Sequence, residues 1–331
     1  MSQFQSATSL FEAFKDLKVL VIGDMMVDSY VWGNVSRMSP EAPVPVVLIE
    51  KREKRLGGAA NVALNIQALG ATPIPCAVIG EDDAGQFFLS RLAERGISDE
   101  GIVTSAARPT TIKERVLSDD KQVLRIDSET DAALNHDEQS QLLEKAKKLL
   151  PSCQVVIFQD YDKGVINEAI IKDITKEANS LGIPTVVDPK KKNFLAYKNV
   201  SFFKPNLKEL NEGLNVEIDP TNLDSLNQGV LKLASLLDCD QVMVTLSEHG
   251  VFIKNEAESF KLPAHARKIN DVSGAGDTVI SIAALALALK LDSKQIAAIS
   301  NLGGGLVCEH VGVVPIDKED LLAEVKSKIN L

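Results

Sequence analysis

Asp271-Val272-Ser273-Gly274-Ala275-Gly276-Asp277-Thr278 runs straight into the apolar pair Val279-Ile280 and joins a cradle of small residues to a carboxylate. Gly274, Ala275 and Gly276 let successive backbone N–H groups converge on one point, and a helix starting near Asp277 adds the positive end of its dipole, so the segment suits a phosphate. A fixed carboxylate beside a bound anion is unfavourable by itself. It becomes useful if it accepts the proton of a hydroxyl that attacks the phosphoryl group. The octapeptide also supports a second reading, in which Asp277 only caps the helix, since Asp is a favoured N-cap residue.

Outward from this segment, short β-branched runs alternate with helical patterns. Residues 19–23, 74–79, 155–159, 185–188, 202–204 and 242–246 read as strands. Residues 61–69, 84–95, 137–149, 167–180, 223–237, 278–290 and 293–308 carry apolar spacing near 3.6 or are apolar all round, and read as helices. The alternation predicts an α/β fold with a mostly parallel central sheet covered by helices on both faces. Two stretches break the rhythm, about 30–51 and about 110–127. They read as strands without crossover helices and predict a small β-sheet lid inserted into a single domain spanning 1–331. Such a lid is expected to stand over the carboxyl ends of the main strands, with an outer apolar face that pairs with a second subunit.

At 331 residues, 45% hydrophobic and 25% charged, the chain is long enough for one large core, and its composition is that of an ordinary globular protein. A net charge of -10 argues against a nucleic-acid surface or an anionic membrane. Cys76, Cys153, Cys239 and Cys308 form no C-x-x-C and read as reduced packing residues, which points to the cytoplasm. The four histidines show no ligand spacing for zinc. No basic segment followed by an apolar core opens the chain, and the greasiest run, 279–291, falls short of the roughly 20 residues that cross a bilayer.

Gly-Lys never occurs, so a Walker phosphate loop is excluded, and the first strand ends in Gly23-Asp24 rather than in a dinucleotide fingerprint. That strand instead delivers Asp24 and Asp28 to the carboxyl edge of the sheet, where carboxylates can accept hydrogen bonds from sugar hydroxyls. Gly57-Gly58-Ala59-Ala60-Asn61 opens a helix and offers N–H groups and an amide to the same kind of ligand, or else is only a tight turn and a cap.

These residues resemble the two signatures of the ribokinase-like (PfkB) carbohydrate kinases: Gly57 to Ala63 is similar to the first, and Asp271 to Asp277 to the second. Between them, Pro205-Asn206-Leu207-Lys208-Glu209 is similar to the family's P-N-x-x-E element, and Val244 to Gly250 to its nucleotide-binding strand and turn. The similarity covers roughly residues 17–315. Within the family, the segment Val35 to Val46, Asp160-Tyr161-Asp162-Lys163-Gly164 and Val187-Asp188-Pro189-Lys190 followed by Tyr197 look like the kinases of D-glycero-β-D-manno-heptose 7-phosphate. Those enzymes phosphorylate the C1 hydroxyl on the route to ADP-heptose and lipopolysaccharide. In many bacteria they are fused to a nucleotidyltransferase, of which no H-x-G-H element is found here. Val272 stands where Thr is common, and Gly312-Val313-Val314-Pro315 departs from the usual Gly-Thr-containing ending.

The resemblance implies ATP and Mg²⁺ as cofactors, with K⁺ as a monovalent cation that Asp271 could help to bind. Asp277 becomes the base and Gly274, Ala275 and Gly276 the anion hole. Asn206 and Glu209 hold Mg²⁺ through water, their alternative role being helix capping. Thr245, Ser247 and Gly250 line the nucleotide groove, with Asn301 near the adenine. Asp24, Asp28, Gly57, Gly58 and Asn61 face the sugar. A phosphorylated sugar needs a cation, for which Arg37, Lys113, Arg115, Lys163 and Lys190 are the candidates, Lys163 first. The competing expectations are another PfkB kinase, acting on a fructose or tagatose phosphate, ribose or a nucleoside, and a non-catalytic sensor of sugars or nucleotides.

Overall fold

Val19 and Val21 face one side of the first strand, Leu20 and Ile22 face the other, and all four are fully buried. A strand buried on both faces belongs in the middle of a helix-covered parallel sheet, and a computed structural model, which describes residues 4–119 and 121–329, places it there. The first half of the chain forms α1 (Ala7–Ala13), β1 (Lys18–Gly23), β2 (Met25–Met38), β3 (Pro45–Gly58), α2 (Ala59–Ala68), β4 (Thr72–Gly80), α3 (Asp83–Glu94), β5 (Gly101–Ser105), β6 (Thr111–Ser118), β7 (Lys121–Ser128) and α4 (His136–Leu149). There follow β8 (Val155–Gln159), α5 (Glu168–Ser180), β9 (Thr185–Asp188), β10 (Phe202–Phe203), α6 (Leu207–Leu214), α7 (Leu223–Leu237) and β11 (Gln241–Thr245). The chain closes with β12 (Val251–Asn255), β13 (Ser259–Leu262), α8 (Ala275–Ala288), α9 (Ser293–Val307) and α10 (Lys318–Lys328).

Nine strands form the large sheet in the order β13-β12-β11-β10-β9-β8-β1-β4-β5. The seven from β5 to β11 run parallel, and β12 and β13 add an antiparallel edge. Helices α1, α2, α3, α8, α9 and α10 bury one face, with Phe11, Phe88, Ile282 and Leu321 in that core. Helices α4 to α7 bury the other, around Phe158, Tyr197, Phe203 and Leu233. On α9, Gly303 and Gly304 let the helix press against α8: a Cβ at these positions would lie 2.1 Å from Ile282 and 2.6 Å from Val279.

Four strands form the small sheet in the order β3-β2-β6-β7. It grows from the carboxyl edge of the large one: β2 starts two residues after β1 ends, and Thr110, just before β6, accepts a hydrogen bond from Gly80 at the end of β4. The expected lid stretches were 30–51 and 110–127; the strands run 25–58 and 111–128, and position 120 lies outside the described residues.

The expected element list needs correcting at several places. Strands β5, β12 and β13 and helices α1, α6 and α10 were not foreseen, and the strand expected over 202–204 stops at Phe203. Each unforeseen strand is four or five residues long, so alternation has little room to declare itself. Helix α6 is only eight residues long, opened by the Asn206–Glu209 capping box and carrying Leu210 and Leu214 on its buried side. All four cysteines are free thiols, and among the described residues no helix is long and apolar enough to cross a membrane.

Candidate active site

Helix α8 begins at Ala275, two residues before Asp277, because Gly274 at φ +81° occupies the N-cap. A side chain at Gly274 would be strained there and would press on the Asn61 amide at 3.1 Å and Val313 at 3.2 Å. Asp277 is therefore not the cap, and its 6% exposed side chain turns toward other elements. Oδ2 accepts from Asn61 Nδ2 at 2.8 Å, and Oδ1 accepts from the Tyr161 hydroxyl at 2.6 Å and from Gln159 Nε2 at 3.3 Å. Burial pushes its pKa up to about 6, opposed by the Asn61 and Tyr161 hydrogen bonds; the Asp188 charge pushes the same way as burial, and Lys204 opposes.

A cavity of about 240 Å³ opens on this carboxylate, lined by Gly274 and Gly276 and by residues at the carboxyl ends of β8, β9, β10 and β11: Gln159, Tyr161, Asp188, Lys190, Lys204, Asn206, Glu209 and Thr245. Inside it, Lys204 Nζ and Asp188 Oδ2 form a buried ion pair at 3.0 Å, and Gln159 Nε2 reaches the same Asp188 oxygen at 3.3 Å. The cavity has what phosphoryl chemistry needs: a helix N-terminus, a desolvated cation and a carboxylate with a raised proton affinity. Ala275 departs from expectation. Its N–H donates to the Val272 carbonyl at 3.3 Å, closing a turn, so Gly274 and Gly276 are the cradle residues on the cavity wall.

Asn206 and Glu209 form a reciprocal capping box at the start of α6, at 2.8 and 2.9 Å, while both also line the cavity. The second Glu209 oxygen is bonded to Lys190, whose ammonium lies 5.8 Å from the Tyr161 ring centroid. Thr245 ends β11 in a parallel bridge to Asn206. Ser247 and Gly250 frame the adjoining tight turn with φ of +51° and +85°, outside the cavity. Asn301 is not brought to this cavity either: it donates to Pro263 O at 2.8 Å and lines a separate one of about 390 Å³ together with Leu262 and His265.

The two acidic residues after β1 part company. Asp24 is 1% exposed, and its oxygens already accept from the backbone N–H groups of Tyr161 (2.8 Å), Lys163 (3.1 Å) and Val165 (3.1 Å). In this structure it anchors the 160–165 loop. Asp28 is bonded to the Arg115 guanidinium, which also lies over the Tyr30 ring at 5.5 Å. Gly57 leaves room for it, since a Cβ there would sit 2.1 Å from Asp28 Oδ2 and push that side chain aside; a Cβ on Gly58, at φ +59°, would meet Asp24 O at 2.5 Å.

The basic candidates scatter. Lys190 reaches the cavity. Lys113 and Lys163 converge on one carboxylate, Glu129, each at 2.7 Å, and Lys113 also pairs with Asp127 at 3.0 Å. Arg37 is exposed near the far end of β2 and does not line the cavity. Asp271 accepts from Ser273 N and Gly312 N, both at 2.9 Å, and these bonds hold its carboxyl below the usual range against its partial burial. It ties the cradle loop to the 312–315 segment. Gln159, Tyr161, Asp188 and Lys204 had been given no role from sequence; their shared signal is a place at or just beyond the end of a strand on the carboxyl edge, and Tyr161 and Asp188 also lie in segments that resemble the heptose kinases.

The chain is similar to known proteins in both sequence and fold. The family model described as pfkB family carbohydrate kinase matches residues 16–319. Proteins named Bifunctional protein HldE are similar over nearly the whole chain: that of Desulfatibacillum aliphaticivorans is 37% identical over 316 residues, covering 95% of this chain and 64% of the relative. That of Methylobacillus flagellatus is 38% identical over 311 residues, covering 94% and 63%. The chain thus spans a little less than two thirds of the length of these relatives. Among solved structures, phosphofructokinase-2 from Escherichia coli in complex with potassium superposes with a TM-score of 0.78 at 20% identity, covering 94% of this chain and 98% of that one. Arabidopsis thaliana ribokinase complexed with ribose and ATP gives 0.72 at 18%, covering 92% and 98%; both share the fold. With its signatures, fold and cavity accounted for together, this chain belongs to the pfkB family of carbohydrate kinases and is a phosphotransferase.

Proposed function

We propose that the chain transfers the γ-phosphoryl group of ATP to the C1 hydroxyl of D-glycero-β-D-manno-heptose 7-phosphate, giving the 1,7-bisphosphate for ADP-heptose and lipopolysaccharide synthesis in the cytoplasm. The observation that carries the reading is Asp277, buried at the floor of a cavity between a helix N-terminus and the Lys204–Asp188 pair. The HldE relatives and the match of 35–46 and 160–164 to the heptose kinases support the choice of sugar.

Asp277 is the base. The N–H groups at Gly274 and Gly276 and the Lys204 ammonium face the charge that develops on the transferred group. Asp188, Asn206 and Glu209 line the cavity and would hold a magnesium ion that keeps most of its waters and takes one or two carboxylates. When bound, that ion would neutralise charge on the ATP phosphates. Thr245, Ser247 and Gly250 flank the nucleotide, Asn301 lies toward its base, and Asp271 belongs beside a potassium ion. Asp28, Asn61, Gly57 and Gly58 meet the sugar, and Lys163 with Lys113 and Arg115 takes its phosphate. The small sheet pairs two copies through its exposed apolar residues, among them Leu48, Leu124 and Ile126.

An ATP-consumption assay over heptose 7-phosphate, fructose 6-phosphate, fructose 1-phosphate, ribose and adenosine tests the reading. Preference for the heptose phosphate is expected. Preference for another acceptor would overturn the substrate, and no acceptor-dependent ATP use at all would overturn the catalytic reading in favour of a sensor.

A further inference from the structure

A carboxylate offers about four acceptor positions, two on each oxygen. Oδ1 of Asp277 has both filled, by the Tyr161 hydroxyl at 2.6 Å and Gln159 Nε2 at 3.3 Å. Oδ2 has one filled, by Asn61 Nδ2 at 2.8 Å. We infer that Tyr161 is a positioning residue: with Gln159 it occupies Oδ1, leaving the remaining position on Oδ2 as the place where the acceptor hydroxyl delivers its proton. The inference rests on the kinase reading above and adds to it which oxygen acts and what selects it.

Three further observations converge on the same assignment. The Tyr161 backbone N–H donates to the buried Asp24 at 2.8 Å, so the residue holding the base is itself pinned to the end of β1. Asn61 Oδ1 and Gln159 Oε1 are buried oxygens without a partner, and they belong to the two amides that turn their N–H groups on Asp277. Each amide is thus oriented by the carboxylate at the cost of leaving its own buried oxygen unpaired. The Tyr161 phenol is held well above its ordinary pKa, by burial first and by the Asp277 charge next, so it stays a donor at any working pH.

In the transfer step, the acceptor O–H bond breaks and its proton goes to Oδ2, while the oxygen forms its bond to the γ-phosphorus. The bond from that phosphorus to the β,γ-bridging oxygen breaks, and its electron pair leaves with ADP. Tyr161 gives up no proton. It keeps Oδ1 occupied and favours the ionised form of Asp277 until the proton arrives.

The test compares the pH dependence of kcat/KM for wild type, Tyr161→Phe and a protein carrying 3-fluorotyrosine at position 161 alone. Asp188, Lys190 and Lys204 also face Asp277, and none of these replacements alters them. Losing the phenol removes a donor to the ionised carboxylate, so the acid limb of Tyr161→Phe should move up by about one pH unit, with kcat roughly tenfold lower and KM for ATP unchanged. The more acidic fluorophenol is a stronger donor and should move the limb down, which tests the idea without deleting a group. An acid limb that stays at its wild-type position in both proteins overturns the role of Tyr161. A wild-type protein that phosphorylates no sugar overturns the kinase reading instead.

Discussion

Carboxylates behave oppositely in the two sheets. At the carboxyl edge of the large sheet, burial pushes Asp24 and Asp277 up to about 6. On the small sheet, Glu53 is pulled down to about 2 by its hydrogen bonds to Arg55 and Lys51. Asp127 and Glu129 are also lowered: Lys113 outweighs their modest burial, helped by Arg125 at Asp127 and by Lys163 at Glu129. One region holds desolvated acids ready to take up a proton, and the other holds anions locked to cations near solvent. Packing differs in the same sense. Every side chain of β8 is buried and none of β7 is, and Leu124 and Ile126 stand 53% and 46% exposed. The desolvated acids lie on the large sheet, while the small sheet leaves large apolar side chains exposed.

The sharpest way to break this contrast is Asp277→Asn. We expect kcat to fall by about 10² to 10⁴, and a smaller loss would contradict a general base. Stability should move the other way. An aspartate whose folded pKa is about 6, above its ordinary 3.8, costs folding free energy wherever it is ionised, and the cost fades as pH falls through 6 toward 3.8. Urea unfolding at pH 8 should therefore show the Asn variant at least as stable as wild type, with the difference shrinking toward pH 4. Loss of stability at pH 8 would mean that burial does not govern this acid.

Lys204→Met tests the floor of the cavity through its ion pair. It leaves Asp188, 5% exposed, without its counterion, and such a loss typically costs about 3 to 5 kcal/mol. A urea midpoint unchanged from wild type would show that the pair is not desolvated. On the small-sheet side, Lys163→Ala should raise KM for a phosphorylated sugar about tenfold and leave KM for ATP alone, since it takes one of two lysines from Glu129. An unchanged sugar KM removes Lys163 from the phosphate subsite. The smallest effect on stability is expected for Leu124→Glu combined with Ile126→Glu. Exposed sites of this kind change unfolding free energy by roughly 0.5 kcal/mol or less, whereas sedimentation should show self-association lost. A dimer that survives both charges would place the contact elsewhere.

The large sheet was legible because its strands are runs of Val and Ile between helices with clear periods. The edge strands β12 and β13 were not, since a half-buried strand of four residues such as Ser259–Leu262 carries too few apolar positions to count. The meeting of Asp277 with Gly274 and Gly276 at a helix start could be read locally, within one octapeptide. What could not be read is what surrounds them. Asp24 and Asp28 look alike after the same strand, and only the backbone N–H groups of residues 161, 163 and 165, some 140 positions away, decide that the first is an anchor. Tyr161 and Lys204 likewise gain their place from strand order, which puts β8, β9 and β10 side by side. Asn206 and Glu209 show the converse: both expected roles were visible, and the cap is the one the geometry displays.

The central claim is spatial, so a crystal structure of the chain with a non-hydrolysable ATP analogue, magnesium and the heptose 7-phosphate tests it most directly. The account predicts the C1 hydroxyl within about 3.2 Å of Asp277 Oδ2, Tyr161 still on Oδ1, and the γ-phosphate against the N-terminus of α8. A nucleotide bound away from Gly274 and Gly276, or a sugar whose nearest hydroxyl faces a residue other than Asp277, would contradict it.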